Sequence, residues 1–188
     1  MLHPGNNLKI NGYEFRRVED FSVFNAFTCA DADLDEYIHK DAAFHKAELI
    51  AETYFYALLE APDLPIAFIS LLNDALALSS NRLRRMVDNR VRRYKDYPAV
   101  KIGRLGVDAA FTRHGAGSTM VNIVKELFTT NNRTGCRFIT VDAYNCKPVL
   151  TFYQRNGFDF LLPERSEGAT RIMFFDLKKW RAGSLKLE

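Results

Sequence analysis

The segment Val107-Asp108-Ala109-Ala110-Phe111-Thr112-Arg113-His114-Gly115-Ala116-Gly117-Ser118 carries the residue types that suit an anion. It joins a strand pattern to a helix pattern. Gly115 and Gly117 permit unusual φ and let a ligand approach the main chain closely. The free N–H groups of the new helix, with its dipole, favour a phosphate group. Arg113 can add charge and Ser118 a hydroxyl donor. Two common phosphate motifs fail here. A Walker A loop needs Gly-Lys-Ser/Thr, and the dinucleotide fingerprint needs another glycine three residues after Gly117, whereas Ser118 and Met120 follow instead.

Other chemistry-bearing residues form weaker patterns. Arg82, Arg84, Arg85, Arg90, Arg92, Arg93 and Lys95 crowd one segment, opposed there by Asp88 and Asp96. That segment reads as a solvated connection or as a landing surface for a polyanion such as tRNA. Polyanion binding of that kind would be steeply salt-dependent, and aromatic residues for base stacking are few. The histidines show no metal-binding spacing, and His39 and His45 fall on a helix pattern. Cys29, Cys136 and Cys146 are odd in number and far apart, poor material for a disulfide framework or a zinc site. Reduced thiols, and an N-terminus that does not read as a secretory signal, suggest a cytoplasmic protein. No apolar run approaches the roughly 20 residues of a membrane span.

The elements that position these residues can be read from periodicity. Tyr13–Glu19 reads as a first strand. Asp31 to Glu36 supplies acidic residues for a helix start, and Leu34, Tyr37, Ile38 and Ala42 recur at helical spacing through about Leu49. Glu52–Leu59 and Ile66–Leu72 read as a hairpin, with Asp63 and Pro65 marking its turn. Asn81–Tyr94 can be helical, and Pro98 ends that connection. Ala99–Val107 is a strand. Met120, Ile123, Val124, Leu127 and Phe128 make a helical stripe closed by Asn131-Asn132 and Gly135. Phe138–Ala143 is a strand, and Pro148–Asn156 a short helix stopped by Gly157. Phe158–Leu161 and Arg171–Leu177 are the last strands. The expectation is one α/β domain over 1–188, built on a mixed, mostly antiparallel twisted sheet of about seven strands with helices on both faces. Its 188 residues, 47% of them hydrophobic, suffice for a core without disulfide or metal staples.

Leu105-Gly106-Val107, then Thr112-Arg113-His114-Gly115-Ala116-Gly117, then Phe152-Tyr153-Gln154-Arg155-Asn156-Gly157-Phe158, together resemble the central part of a GNAT acyltransferase. In that family a strand ending Leu-x-Val leads into Arg/Gln-x-x-Gly-x-Gly/Ala, and many members carry Phe-Tyr-x-x-x-Gly-Phe. Thr112 stands where the family prefers Arg or Gln, and Asn145 lies one residue before the usual helix-opening Asn. Gly103 to Asp108 and Cys29 to Tyr37 also resemble GNAT toxins that acylate the amino acid on charged tRNA.

The resemblance implies an N-acetyltransferase that uses acetyl-CoA as co-substrate and a primary amine as acceptor. Small-molecule amines, protein amines and aminoacyl-tRNA stay open as acceptors. By that resemblance the backbone of Leu105, Gly106 and Val107 meets the pantetheine arm and thioester, the 112–118 loop holds the diphosphate, and Asn145 adds to the cofactor site. Tyr153 becomes the proton donor to the departing thiolate, since a phenol of ordinary pKa about 10 is protonated at neutral pH. A buried, merely packed tyrosine is the alternative. Asp108, Glu52 and His114 are open as general base. A homodimer, an antitoxin partner, and a non-catalytic acyl-CoA-binding or nucleic-acid-binding module on the same fold are further expectations.

Overall fold

A computed structural model describes residues 8–10, 12–77, 84–130, 132, 134–162 and 167–180. Eight strands lie in these residues: β1 Leu8–Ile10, β2 Tyr13–Arg17, β3 Glu52–Leu58, β4 Ala61–Ala77, β5 Asp96–Val107, β6 Phe138–Tyr144, β7 Asp159–Phe160 and β8 Thr170–Asp176. They form one sheet in the order β1-β2-β3-β4-β5-β6-β8-β7. Only β5 and β6 run parallel. The sheet is therefore mixed and mostly antiparallel, with one strand beyond the expected seven, the short edge strand β1.

Asp31 opens helix α1 (Ala32–Glu36) by accepting the amides of Asp33 and Leu34 at 3.1 and 3.2 Å. A π-helical turn over Tyr37–Asp41 leads into α2 (Ala42–Ala47). The run expected to reach Leu49 thus stops earlier, and Leu49 itself takes φ +57°. Helix α3 (Ala116–Leu127) and helix α4 (Lys147–Arg155) follow β5 and β6. Pro148 stands in the first turn of α4, and Gly157, at φ +83°, stops it as expected.

Strand alternation sends successive residues to opposite faces. Ile139, Met173 and Phe175 pack with Met120, Ile123 and Val124 of α3 on one face. Phe138 and Phe174 pack with Val87 and Tyr97 on the other. Also on that second face, Phe24, Phe27, Tyr37 and Ile38 close over Phe55 and Phe68. Burying such a side chain fully contributes about 1.5–3 kcal/mol. Arg137 fastens the start of β6 to the end of β8 through two bonds to the Asp176 carboxylate, at 2.8 and 2.9 Å, and bonds the Met86 carbonyl as well.

Three local readings change. Asp63 and Pro65 do not make the hairpin turn. The chain turns at Leu59-Glu60, and residues 62–64 are absorbed by a bulge where Ala57 pairs Pro65 and Leu58 pairs Ala61. Pro98 does not end the connection but lies inside β5, opposite Ala75. It is tolerated because parallel pairing to β6 begins only at Ala99. Part of the Asn81–Tyr94 segment, Arg82 included, lies outside the described residues. Arg84 is helical as expected, and from residue 85 the described chain runs as turns with a 3-10 turn at Asn89–Val91.

Candidate active site

The site begins with a break in pairing. Strands β5 and β6 pair from Ala99–Phe138 to Ile102–Val141, and the pairing stops there. At that level β5 bulges: Ser70 pairs Arg104 while Leu71 pairs Ile102, so Gly103 is the extra residue. A bulge bends its strand and increases local twist. Residues 104–107 remain paired to β4 but have no strand partner on the other side. The sheet is split at its middle.

A cavity of about 590 Å³ occupies the split. Gly103, Arg104 and Leu105 line it from β5, and Asp142, Ala143 and Tyr144 from β6. Val149 and Tyr153 of α4 reach it from one face of the sheet, and Asp31, Asp33 and Leu34 from the other. The cavity therefore joins the two faces, a geometry in which two substrates can meet from opposite sides.

Tyr153 is buried, 6% exposed, and packs edge-on against Phe152 and Phe158 with ring centroids at 5.0 and 5.3 Å. Its hydroxyl makes no hydrogen bond to a described residue. Burial raises its pKa above the ordinary phenol value, so the proton stays on the oxygen. A buried hydroxyl normally finds a partner. Here the open cavity takes the partner's place.

The loop before α3 has the strained shape its glycines suggest. Arg113 and Gly115 both lie in the left-handed region, at φ +67° and +84°. Gly115 is the N-cap of α3 and supplies no side-chain acceptor to the first amides. Thr119 N–H bonds the Gly115 carbonyl at 3.0 Å, which leaves the amides of residues 116–118 ahead of it. Arg113 and His114 are exposed beside them. Thr112 turns its hydroxyl to the Ala109 carbonyl at 3.2 Å, and the Ser118 hydroxyl accepts from Asn156 at 3.2 Å. A Cβ on Gly115 would meet nothing within 4 Å. Gly115→Ala should therefore keep the fold and cost only the left-handed strain, about 1–2 kcal/mol. Chemical denaturation checks this, and unchanged stability would mean that the turn relaxes to negative φ.

The other two glycines serve packing. A Cβ on Gly117 would come within 3.3 Å of the Phe152 ring and 3.5 Å of Val107, so Gly117 lets α3 approach α4 and β5. A Cβ on Gly106 would lie 2.4 Å from Phe68 Cε1. Leu105 and Val107 pack against the core on the α3 face. Asn145 stands apart from the cavity lining. Its side chain donates to the Gly168 carbonyl at 2.9 Å and its amide to Ala169 at 2.8 Å, closing the turn before β8.

The three groups open as general base lie outside the cavity. Asp108 caps the turn at Ala109–Phe111 through Ala110 N (2.9 Å) and also accepts from Thr28 N (3.3 Å). Glu52 lines a separate hollow of about 210 Å³, and His114 is exposed on the loop. Sequence reasoning missed instead the polar wall of the cavity. Tyr144 donates to Asp33 Oδ2 at 2.7 Å, and Arg104 Nε approaches the same oxygen at 3.4 Å. The bond to Asp33, with burial, pushes the Tyr144 phenol up to about 12. Lys101 pairs with Asp142.

A mixed sheet split after its one parallel pair, with a helix starting at a left-handed glycine, is the GNAT-like acyl-CoA N-acyltransferase fold. Solved structures that share it include a tyrosine-to-phenylalanine variant of KacT, with TM-score 0.72 and 16% identity over 90% of this chain and 97% of that chain. AtaT complexed with acetyl-methionyl-tRNAfMet has TM-score 0.69 and 18% identity, covering 89% and 96%. A tyrosine-to-phenylalanine variant of the AtaT toxin, bound to the C-terminus of the antitoxin AtaR and acetyl-CoA, has TM-score 0.68 and 18% identity, covering 90% and 96%. No family model matches the sequence, and no curated protein matches it.

Proposed function

We propose that this chain transfers an acetyl group from acetyl-CoA to a primary amine, and that the amine is the α-amino group of an aminoacyl-tRNA. The observation that carries the reading is the Tyr153 hydroxyl: buried, without a bond to any described residue, and facing a cavity in the split sheet. The choice of acceptor draws on the likeness to AtaT, solved with acetyl-methionyl-tRNAfMet. A cytoplasmic protein with a neutralising protein partner fits the same reading, since AtaT is also solved with the antitoxin AtaR.

The residues present suit acetyl-CoA. Amides 116–118, with Arg113 and Gly115 in left-handed conformation beside them, have no side-chain cap and suit a diphosphate. The unpaired edge of residues 103–107 offers backbone groups to an extended amide-bearing chain, as a sheet edge does to an added strand. When bound there, the co-substrate supplies an activated acyl thioester. The chain's own work is then positional and electrostatic. N–H groups of the Leu105–Val107 edge face the carbonyl oxygen on which negative charge develops. Tyr153 holds its proton at Oη until the sulfur departs, then donates it. Asp33, Tyr144 and Arg104 form the wall that the acceptor meets.

Thiol release from acetyl-CoA in the presence of aminoacyl-tRNA tests the proposal. Release that depends on the aminoacyl group is expected, and no release with any aminoacyl-tRNA would reject it. The exposed cations from Arg84 to Lys95 give a second expectation. With about four phosphate contacts, tRNA affinity should fall roughly a hundredfold between about 50 and about 200 mM salt. Filter binding reads this directly, and a flat salt profile would remove the arginine segment from the tRNA interface.

A further inference from the structure

Four ionisable groups on the cavity wall are already committed. Asp31 caps α1. Lys101 and Asp142 hold each other. Tyr144 donates to Asp33 Oδ2. That leaves Asp33 itself half used: its Oδ2 is fixed by Tyr144 and Arg104, while its Oδ1 bonds no described residue. Arg104 is held by stacking over the Tyr37 ring at 5.3 Å and by a bond from Nη1 to the Gly103 carbonyl at 3.0 Å. Its Nε is buried and makes no hydrogen bond, because the approach to Asp33 at 3.4 Å lacks the geometry of one. The third uncommitted polar atom is Tyr153 Oη.

An anionic oxygen and a cationic N–H donor side by side, on the wall of a cavity that also holds a phenol, define a ligand. They match an ammonium and a carbonyl oxygen carried on adjacent carbons. From this juxtaposition we infer that Asp33 and Arg104 recognise the α-aminoacyl head of the acceptor, the ammonium on Asp33 Oδ1 and the ester carbonyl on the exposed end of the Arg104 guanidinium. The inference rests on the acetyl-transfer reading and deepens it. It separates α-aminoacyl esters from polyamines and lysine side chains, whose amines have no carbonyl on the neighbouring carbon. Tyr144 is a positioning residue, since it fixes the carboxylate through Oδ2 and leaves Oδ1 to the ligand.

The test compares aminoacyl-tRNAs with matched α-hydroxyacyl-tRNAs, used as competitive inhibitors, on wild type, Asp33→Asn and Arg104→Gln. In wild type the amine form should bind about tenfold or more tighter than its hydroxyl analogue, the size of a charge-assisted contact. Asp33→Asn should make the two equal. Arg104→Gln should weaken both by about tenfold, and neither variant should alter acetyl-CoA affinity. Should Asp33→Asn not fold, Tyr144→Phe leaves the charge but frees the carboxylate, and it should raise KM for the acceptor alone. Wild-type KM and wild-type discrimination in all folded variants overturn the assignment while acetyl transfer stands. Efficient acetylation of peptide N-termini in place of aminoacyl-tRNA overturns the ester assignment. A wild type that acetylates no aminoacyl-tRNA overturns the proposed function itself.

Discussion

Tyr153→Phe should lower turnover by about 10²–10⁴-fold, the usual contribution of a positioned general acid, with little change in acetyl-CoA affinity. The substitution is unusually clean. The hydroxyl bonds no described residue, so its removal leaves no orphaned protein partner. The ring contacts with Phe152 and Phe158 survive in phenylalanine. Stability should stay within about 0.5 kcal/mol of wild type, the range of changes that break no named interaction. Burial raises the phenol pKa, so the group is a donor throughout the neutral range and the rate should show no loss of this acid up to the highest pH the protein tolerates. Single-turnover acetyl transfer, with acetyl-CoA binding measured separately, decides it. Unchanged turnover would remove Tyr153 from the chemistry and leave only its packing role.

Gly106→Ala should be the most damaging small change in the chain. The new methyl would sit 2.4 Å from Phe68 Cε1 and 3.1 Å from two neighbouring ring carbons. The Phe68 ring has no room to retreat. It is fully buried and packed edge-on to Phe24 and Phe27 at 5.9 and 5.6 Å. Overpacking of this kind costs about 1–3 kcal/mol, and about 2–4 °C is lost per kcal/mol in a chain of this size. A fall of several degrees in Tm is expected, together with loss of activity, because the displaced backbone is the free edge of the split. Phe68→Leu in the Gly106→Ala background should recover part of the stability. A double-mutant cycle with no coupling between positions 68 and 106 would contradict the packing account.

That contrast explains what was readable in the sequence. The turn at Arg113–Gly115 and the stop at Gly157 are local demands on backbone conformation, so residue type alone announced them. Strand and helix periods likewise placed β3, β5, β6, α3 and α4 to within a few residues. The misreadings at Asp63, Pro65 and Pro98 share one cause. Each is a residue that usually breaks structure, kept inside a strand by a bulge or by an edge that only the full pairing pattern defines. Edge strand β1 is three residues long and gave no periodicity to find.

The site divides in the same way. The proposed donor half is sequential, running through 103–118 and 147–157, where the sequence motifs lie. The proposed acceptor half is assembled across the chain. Asp33 and Tyr144 are 111 residues apart and meet at 2.7 Å only because α1 crosses the sheet at the split. No spacing rule brings them together. Asp108, by contrast, sits within the motif but spends its carboxylate on a turn and on Thr28.

The most direct measurement is a crystal structure of this chain with CoA bound. The diphosphate should lie against the amides of residues 113–118, and the pantetheine should run along the free edge of 103–107. The sulfur should come within hydrogen-bonding reach of Tyr153 Oη, directly or through one water. A CoA seated elsewhere, or a sulfur on the far side of the cavity from that phenol, would contradict the account.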